Sequence, residues 1–225
     1  MPTFEKSTFP VTDIEWFRQT DWTPSASAEF ERRLARARGQ RSEYLRIQAL
    51  ALAATEMQEF AEAAIGLARR FLALKQAGSG VAQAHATIAR AHATLGEIEA
   101  AVAAYGLAVD AEYAQPNIRG YHYLDFAWFV ATQAVDTQYD EVLRVIQRNK
   151  RDQDLMFPAN QYRYFGALAL ISAAQGDEEN ARRMAEGALS AAAHERGPFE
   201  NHPGLGLVAR DKSKSHARLQ RLAIV

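Results

Sequence analysis

The sequence predicts an all-α protein, and three observations carry that prediction. From Ala26 to Leu74, and again from Val81 to Val109, the chain is rich in Ala, Leu, Glu, Gln and Arg, the residues with the best helix propensity. Strand signals are missing. Helix breakers fall between the rich stretches, at Gly78-Ser79-Gly80, Pro116-Asn117, Pro158-Ala159-Asn160 and Gly197-Pro198, and cut the chain into similar pieces.

Those pieces repeat. Gly96, Ala101, Tyr105 and Ala108 recur as Gly176, Ala181, Ala185 and Ala188, a period of about 80 residues that also halves to about 40. One half-period upstream stand Glu56, Ala61, Ile65 and Ala68, and the slot between the two sets holds Val142 and Ile146 after a one-residue slip. A second register aligns Leu45, Ala49 and Leu52 with His85, Ala89 and His92, then Phe126, Val130 and Gln133, then Phe165, Ala169 and Ser172. Residues three and four apart share a helix face. Alanine there lets antiparallel helices approach closely, and Gly96 and Gly176 permit the tight turn between them. The reading is four helix pairs, with first helices near 42–55, 82–95, 118–134 and 160–175 and second helices near 58–75, 97–112, 138–149 and 178–194. A single pair cannot bury both its faces, so the pairs are expected to stack.

In Ile88-Ala89, His92, Leu95-Gly96, Ala101, Tyr105 and Ala108, and again from Phe165 to Ala188, the chain resembles the tetratricopeptide-repeat (TPR) family. The resemblance covers residues 42–194 and implies an α-α superhelix of about four TPR-like pairs. It departs from the family in its period, about 40 where the family has 34. The third pair lacks the small residues, and Tyr113 and Ala193 stand where the family often has proline.

Both ends lie outside the repeats. Residues 1–41 are expected to form an aromatic capping segment, with Phe4, Phe9, Trp16, Phe17 and Trp22, followed by a basic helix. Thr12-Asp13-Ile14-Glu15 reads as a capping box, and Thr23-Pro24 as an N-cap with proline at the first helical position. That second helix is expected to run through Arg32-Arg33-Leu34 into the first repeat, with Gly39 as its weak point. Residues 195–225 read as a loop to Val208 and then a short helix or tail.

Composition narrows the function classes. The 225 residues carry a formal charge of −1, so the molecule as a whole lacks the basic field of a nonspecific nucleic-acid binder. With no Cys there is no disulfide, thiolate nucleophile or cysteine-ligated zinc. Arg carries most of the positive charge beside abundant Ala, the usage of a GC-rich bacterial genome. The amino terminus lacks a secretory pattern and the longest nearly apolar run, Phe165 to Ala174, is about half the ~20 residues of a membrane span. A cytoplasmic protein with no membrane partner is expected.

Catalytic and metal motifs are not found. His85 and His92 share a helix face but sit in packing slots, without an HExxH pattern. His122, His194, His202 and His216 have no ligand spacing. Gly78-Ser79-Gly80 lacks the Lys-Ser/Thr ending of a nucleotide loop, and Gly204-Leu205-Gly206 lacks the strand and third glycine of a dinucleotide fingerprint. Asp140-Glu141 and Asp177-Glu178 sit at helix starts, where the helix dipole explains them. No cofactor and no enzymatic activity are expected.

Binding is the remaining reading. In proteins of the resembled family the first helices line a concave surface that holds a peptide or partner helix. Projecting the register onto helix faces places Glu43, Arg46, Gln83, Arg90, Leu124, Trp128 and Arg163 on that surface. Arginine forks and a Trp anchor suit an acidic or C-terminal peptide, although the Lys and Asn clamp that the family uses on a terminal carboxylate is absent. A non-catalytic protein-interaction scaffold is therefore expected. The alternative is a nucleic-acid-binding regulator using Arg32, Arg33, Arg36, Arg38, Arg41 and Arg46 with the basic tail at Lys212, Lys214, Arg218 and Arg221.

Overall fold

The computed structural model describes residues 15–75, 78–209 and 213–224. Among them are ten α-helices and no strand: α1 (Pro24–Arg36), α2 (Arg41–Ala53), α3 (Gln58–Leu74), α4 (Val81–Leu95), α5 (Ile98–Tyr113), α6 (His122–Gln133), α7 (Tyr139–Asn149), α8 (Pro158–Ala174), α9 (Glu178–Ala192) and α10 (Lys214–Leu222). The protein is all-α. The eight helices from α2 to α9 start and end within a few residues of the positions that the repeat register assigns. None of the described helices is long and apolar enough to cross a membrane. The chain divides into two compact units, Met1–Ala104 and Tyr105–Val225, the division falling within α5.

In the first unit α2 packs on α3 and α3 on α4. The seams are small: Ala49, Ala64, Ala68, Ala89 and Ala91 are completely buried, which lets the helix axes come close without leaving voids. Helix α1 begins as expected, the Thr23 hydroxyl accepting from the Ala26 N–H before Pro24 in the first turn. It does not run into the first repeat. The chain leaves the helix at Ala37, which is extended, and restarts at Arg41, so the weak point at Gly39 is a full break. The break lets Phe30 and Leu34 turn into the core, where Trp16, Trp22 and Tyr44 crowd around them. Trp16 lies 5.4 Å from Phe30 and 4.8 Å from Tyr44, and Trp22 5.4 Å from Phe30. Phe4, Phe9 and most of the Thr12–Glu15 capping box lie outside the described residues.

In the second unit α8 and α9 pack most closely, α6 lies against both α7 and α8, and α10 returns onto α8 and α9. Ala181, Ala185 and Ala188 form the buried stripe of α9. The fully buried Leu219 fastens α10, at a gain of about 2 kcal/mol for a leucine side chain.

Two buried carboxylates fix the connections of this unit. Glu112, in the last turn of α5 and 2% exposed, accepts the N–H groups of Gly120, Tyr121 and His122 at 2.8, 2.9 and 2.8 Å. These are orphan donors at the start of α6, and a carboxylate there also answers the positive helix end. Asp154, 1% exposed, takes the Arg119 guanidinium at 2.5 Å, the Tyr123 hydroxyl at 3.0 Å and the Arg151 N–H at 3.0 Å. Burial, and then the adjacent Asp154 charge, push the Tyr123 hydroxyl well above the ordinary tyrosine pKa.

The turns inside the four expected pairs each contain one left-handed residue: Glu56 (φ 55°), Gly96 (φ 78°), Ala134 (φ 55°) and Gly176 (φ 81°). After α4, α6 and α8 the closing bonds correspond, the N–H groups of Glu97, Val135 and Asp177 returning to the carbonyls of His92, Val130 and Ser172 at 2.9, 3.1 and 3.0 Å. Two turns thus bear a side chain where glycine fits best.

A left-handed alanine is strained by roughly 1–2 kcal/mol, while glycine costs roughly 0.5–1 kcal/mol of extra chain entropy. Ala134→Gly should therefore stabilise the protein by about 0.5 kcal/mol and Gly96→Ala should destabilise it by about 1 kcal/mol or more, read from urea unfolding. A pH dependence follows from Tyr123. The unfolded chain loses this proton near pH ~10 while the folded chain keeps it, so the folded state binds more protons above that pH. Its contribution is intact below about pH 10 and is lost as the pH rises further, and Tyr123→Phe should flatten the alkaline fall of the urea midpoint.

Candidate functional site

The seven residues assigned to the first-helix face divide between the units. In the first unit Glu43 and Arg46 sit one turn apart on α2, and Gln83 is in the first turn of α4. The Arg46 Nε donates to Glu43 at 3.0 Å, with the second guanidinium nitrogen 2.8 Å from the same carboxylate, and another N–H donates to the Gln83 side-chain oxygen. The stem of Arg46 rests on Gly80, the left-handed residue before α4, where a Cβ would come within 2.7 Å of the Arg46 Cδ. Arg46 is thus held on both α2 and α4. Arg90, two turns beyond Gln83, is half-buried and has no ion-pair partner among the described residues.

The histidines of α4 have local roles. His92 Nδ1 lies 2.5 Å from the Glu97 carboxylate across the α4–α5 turn. His85 is half-buried, and loss of solvation holds its pKa below the ordinary histidine value. Among the described residues no three His, Asp or Glu side chains form a metal-ligating group.

In the second unit Leu124, expected on the binding surface, is completely buried. The correction has a simple cause. Eight of the twelve residues of α6 are buried, and the strip left accessible runs through Tyr121, Asp125, Trp128 and Thr132, at helical spacings of four and three. Asp125 holds the place given to Leu124, one residue round the helix. It was missed because the register was projected from apolar positions; its spacing of three before Trp128, as the one acid in an apolar helix, is the signal that finds it.

Asp125, Trp128 and Arg163 do come together. The Arg163 guanidinium on α8 lies 3.4 Å from Asp125. Trp128 packs its ring against Tyr162 at 5.2 Å and against the backbone of Gly166, where a Cβ would meet Trp128 Cζ3 at 2.6 Å. Trp128, Ala159, Tyr162 and Arg163 form one side of a cavity of about 340 Å³, and Leu207, Val208 and Ala209 form the other. This C-terminal segment is fastened at its entry. The Ala159 N–H, an orphan donor in the first turn of α8, donates to the Gly206 carbonyl at 2.8 Å, and Gly206, at φ 74°, sits flush on the Phe157 ring. Beyond the cavity the Tyr162 hydroxyl is 3.0 Å from His216 Nδ1 on α10. The site therefore offers an aromatic floor, one cation and one carboxylate at its rim, and a facing wall of non-helical chain.

The arginine-rich stretch is matched by acids in part. Arg32 and Arg33 both bind Glu29, and Arg70 binds Glu31 at 2.5 and 3.0 Å; hydrogen bonds from these guanidinium groups hold both carboxyl pKa values below the ordinary range. Arg36, Arg38 and Arg41 are exposed. In the tail, Lys214 and Arg221 are exposed on α10, and Lys212 lies outside the described residues.

No protein-family model, no curated protein and no solved structure matches the chain.

The close fit of Trp128 on Gly166 gives a sharp test of how the site is built. Alanine gains about 0.5–1 kcal/mol over glycine inside a helix, whereas overpacking costs about 1–3 kcal/mol. Gly66→Ala, in open space on α3, should stabilise the protein, and Gly166→Ala should destabilise it, both measured by urea unfolding.

Proposed function

We propose that the chain is a non-catalytic protein-interaction scaffold of tetratricopeptide-like helix pairs, α2–α3, α4–α5, α6–α7 and α8–α9, whose α6–α8 face holds a peptide segment of a partner protein. The observation that carries the reading is a cavity of about 340 Å³ walled on one side by Trp128, Tyr162 and Arg163 and on the other by residues 207–209, which are non-helical. An apolar and aromatic cavity of this size supports the docking of a peptide side chain or short segment. The face is built by α6 and α8. The supporting features are the large aromatic anchor, which binds at low entropic cost, and an arginine fork at the rim that suits a carboxylate. Arg163 is 40% exposed while its present partner Asp125 is 19% exposed, so the guanidinium can accept a second acid. A partner segment would compete with, or continue, the path of residues 207–209.

The alternative, a nucleic-acid regulator using the arginine-rich N-terminal stretch, is less well supported, since Arg32 and Arg33 share Glu29 and Arg46 is held by Glu43.

A photoreactive amino acid placed at Arg163 should crosslink a partner protein in cells, and one placed at the exposed Arg182 of α9 should not. A synthetic peptide covering Phe199–Ala209 should suppress the Arg163 adduct. With the partner purified, Arg163→Glu should weaken binding by about tenfold. Equal labelling from both positions, or undiminished affinity in Arg163→Glu, would refute the assignment.

A further inference from the structure

The second unit holds another concavity, of about 530 Å³, walled by Tyr113, Arg119, Arg148, Lys150 and Arg151. It lies where the last turn of α5, the link before α6 and the end of α7 meet. We propose that this cavity binds a small phosphate ester with a planar organic part, a ligand of the nucleotide class, its phosphate held by Arg148, Lys150 and Arg151 and its ring laid on Tyr113.

Charge comes first. Four cations line the cavity, and the carboxylates that face them are Asp110, Asp152 and Asp154. Asp154 is fully used: it accepts from Arg119, Tyr123 and the Arg151 N–H inside the protein. The other two acids hold their cations loosely. Arg148 is 3.2 Å from Asp110 and Lys150 is 3.5 Å from Asp152, with the acid side chains 71% and 104% exposed. Exposed pairs of this kind contribute little, so both cations can turn to a stronger anion. Arg151 is exposed, and its guanidinium has no carboxylate partner among the described residues.

The α7 helix ends here, and its terminal carbonyls would ordinarily repel an anion. That repulsion is covered. Arg119 donates to the Asn149 carbonyl at 2.9 Å, placing a guanidinium over the negative end of the helix. The Arg119 Nε is buried without a hydrogen-bond partner among the described residues.

Size and shape narrow the class. The volume exceeds what a lone inorganic anion needs and falls within the ~300–1,000 Å³ of small-molecule sites. Tyr113 is 54% exposed, and the Arg148 guanidinium stacks 4.4 Å over one face of its ring. Arg148 is itself exposed, so turning it onto a phosphate uncovers that face for a heterocycle. Guanidinium forks match the several oxygens of a phosphate, and the phenol ring offers a stacking surface for a heterocycle.

The test is calorimetric titration of the full chain at low salt with adenosine monophosphate, a ribose phosphate and inorganic phosphate. The nucleotide should bind saturably in the millimolar range or tighter, more strongly than the other two, and more weakly as salt is raised. Arg148→Ala/Arg151→Ala should reduce its affinity by about tenfold or more, and Tyr113→Ala should abolish its advantage over the ribose phosphate. All three side chains are exposed, so the urea midpoint should be unchanged, which separates lost binding from lost folding. Absence of saturable nucleotide binding, or equal affinity in the double variant, would overturn the proposal. Binding of single-stranded RNA, lost in the double variant, with none of the nucleotide, would overturn it in favour of a polynucleotide backbone.

Discussion

A carboxylate removed from water must find donors for its charge or it will not stay buried, and the second unit is organised around two that do. Glu112 reaches from the end of α5 to the first three N–H groups of the next segment and so dictates where α6 begins. The register of α6 follows from that starting point: Tyr123 points to Asp154, Leu124 enters the core, and Asp125 and Trp128 are left on the accessible strip. Asp154 does the same for the link after α7, gathering Arg119, Tyr123 and the Arg151 N–H. Removal of either acid would leave several donors unpaired at once, each at a cost of about 1–3 kcal/mol, so these connections have few alternative conformations.

The Trp128 face depends on a second constraint, the missing side chain at Gly166. A Trp ring can lie flat on a neighbouring helix only where the facing residue has no Cβ to hold it off. Gly166 supplies that place on α8, and Leu219 of α10 closes the contact from the other side. With the indole fixed, Tyr162 and Arg163 on the next turn fall along one edge, and residues 207–209 follow that edge. Arg46 in the first unit is treated differently. Its stem also lies on a glycine, Gly80, but its guanidinium is committed to Glu43 and Gln83. Similar chemistry thus ends as a strut between two helices in one place and as an accessible rim in another.

Much of the fold was legible because its signals are local. Propensity, proline and glycine breaks, and alanine recurrence located eight helices, and the Thr23-Pro24 start of α1 was read from two residues. The failures are equally physical. Gly39 was weighed as a single weak residue, yet a glycine amid Ala37 to Gln40 is enough to end the helix when Phe30 and Leu34 gain a core by turning inward. Sequence reasoning assigned the tight turns to Gly96 and Gly176 and passed over the other two, where Glu56 and Ala134 occupy the same left-handed position. Trp128 and Arg163 lie on accessible helix faces while Leu124 is buried and Asp125 takes its place, since a projection off by one residue rotates a helix by about 100°. The cavity near Tyr113 was invisible. Its residues come from two stretches, 113–119 and 148–151, about thirty positions apart, and only tertiary contacts such as Arg119 with Asp154 and the Asn149 carbonyl bring them together.

The net charge of −1 is a poor guide to the surface for the same reason. Summing residues treats every acid as available to offset a cation, but Glu112 spends its charge on main-chain N–H groups and Asp154 divides its own among a guanidinium, a phenol and an N–H. Acids turned inward in this way leave the cations at the same connections only partly balanced, so a basic cavity forms in a nearly neutral chain. A local excess of this sort acts over about 10 Å at ordinary salt, too short to draw in a long polyanion from a distance but sufficient for a small anion already at the cavity mouth. Burial of carboxylates to order the helix connections and accumulation of positive potential beside Tyr113 are consequences of one arrangement.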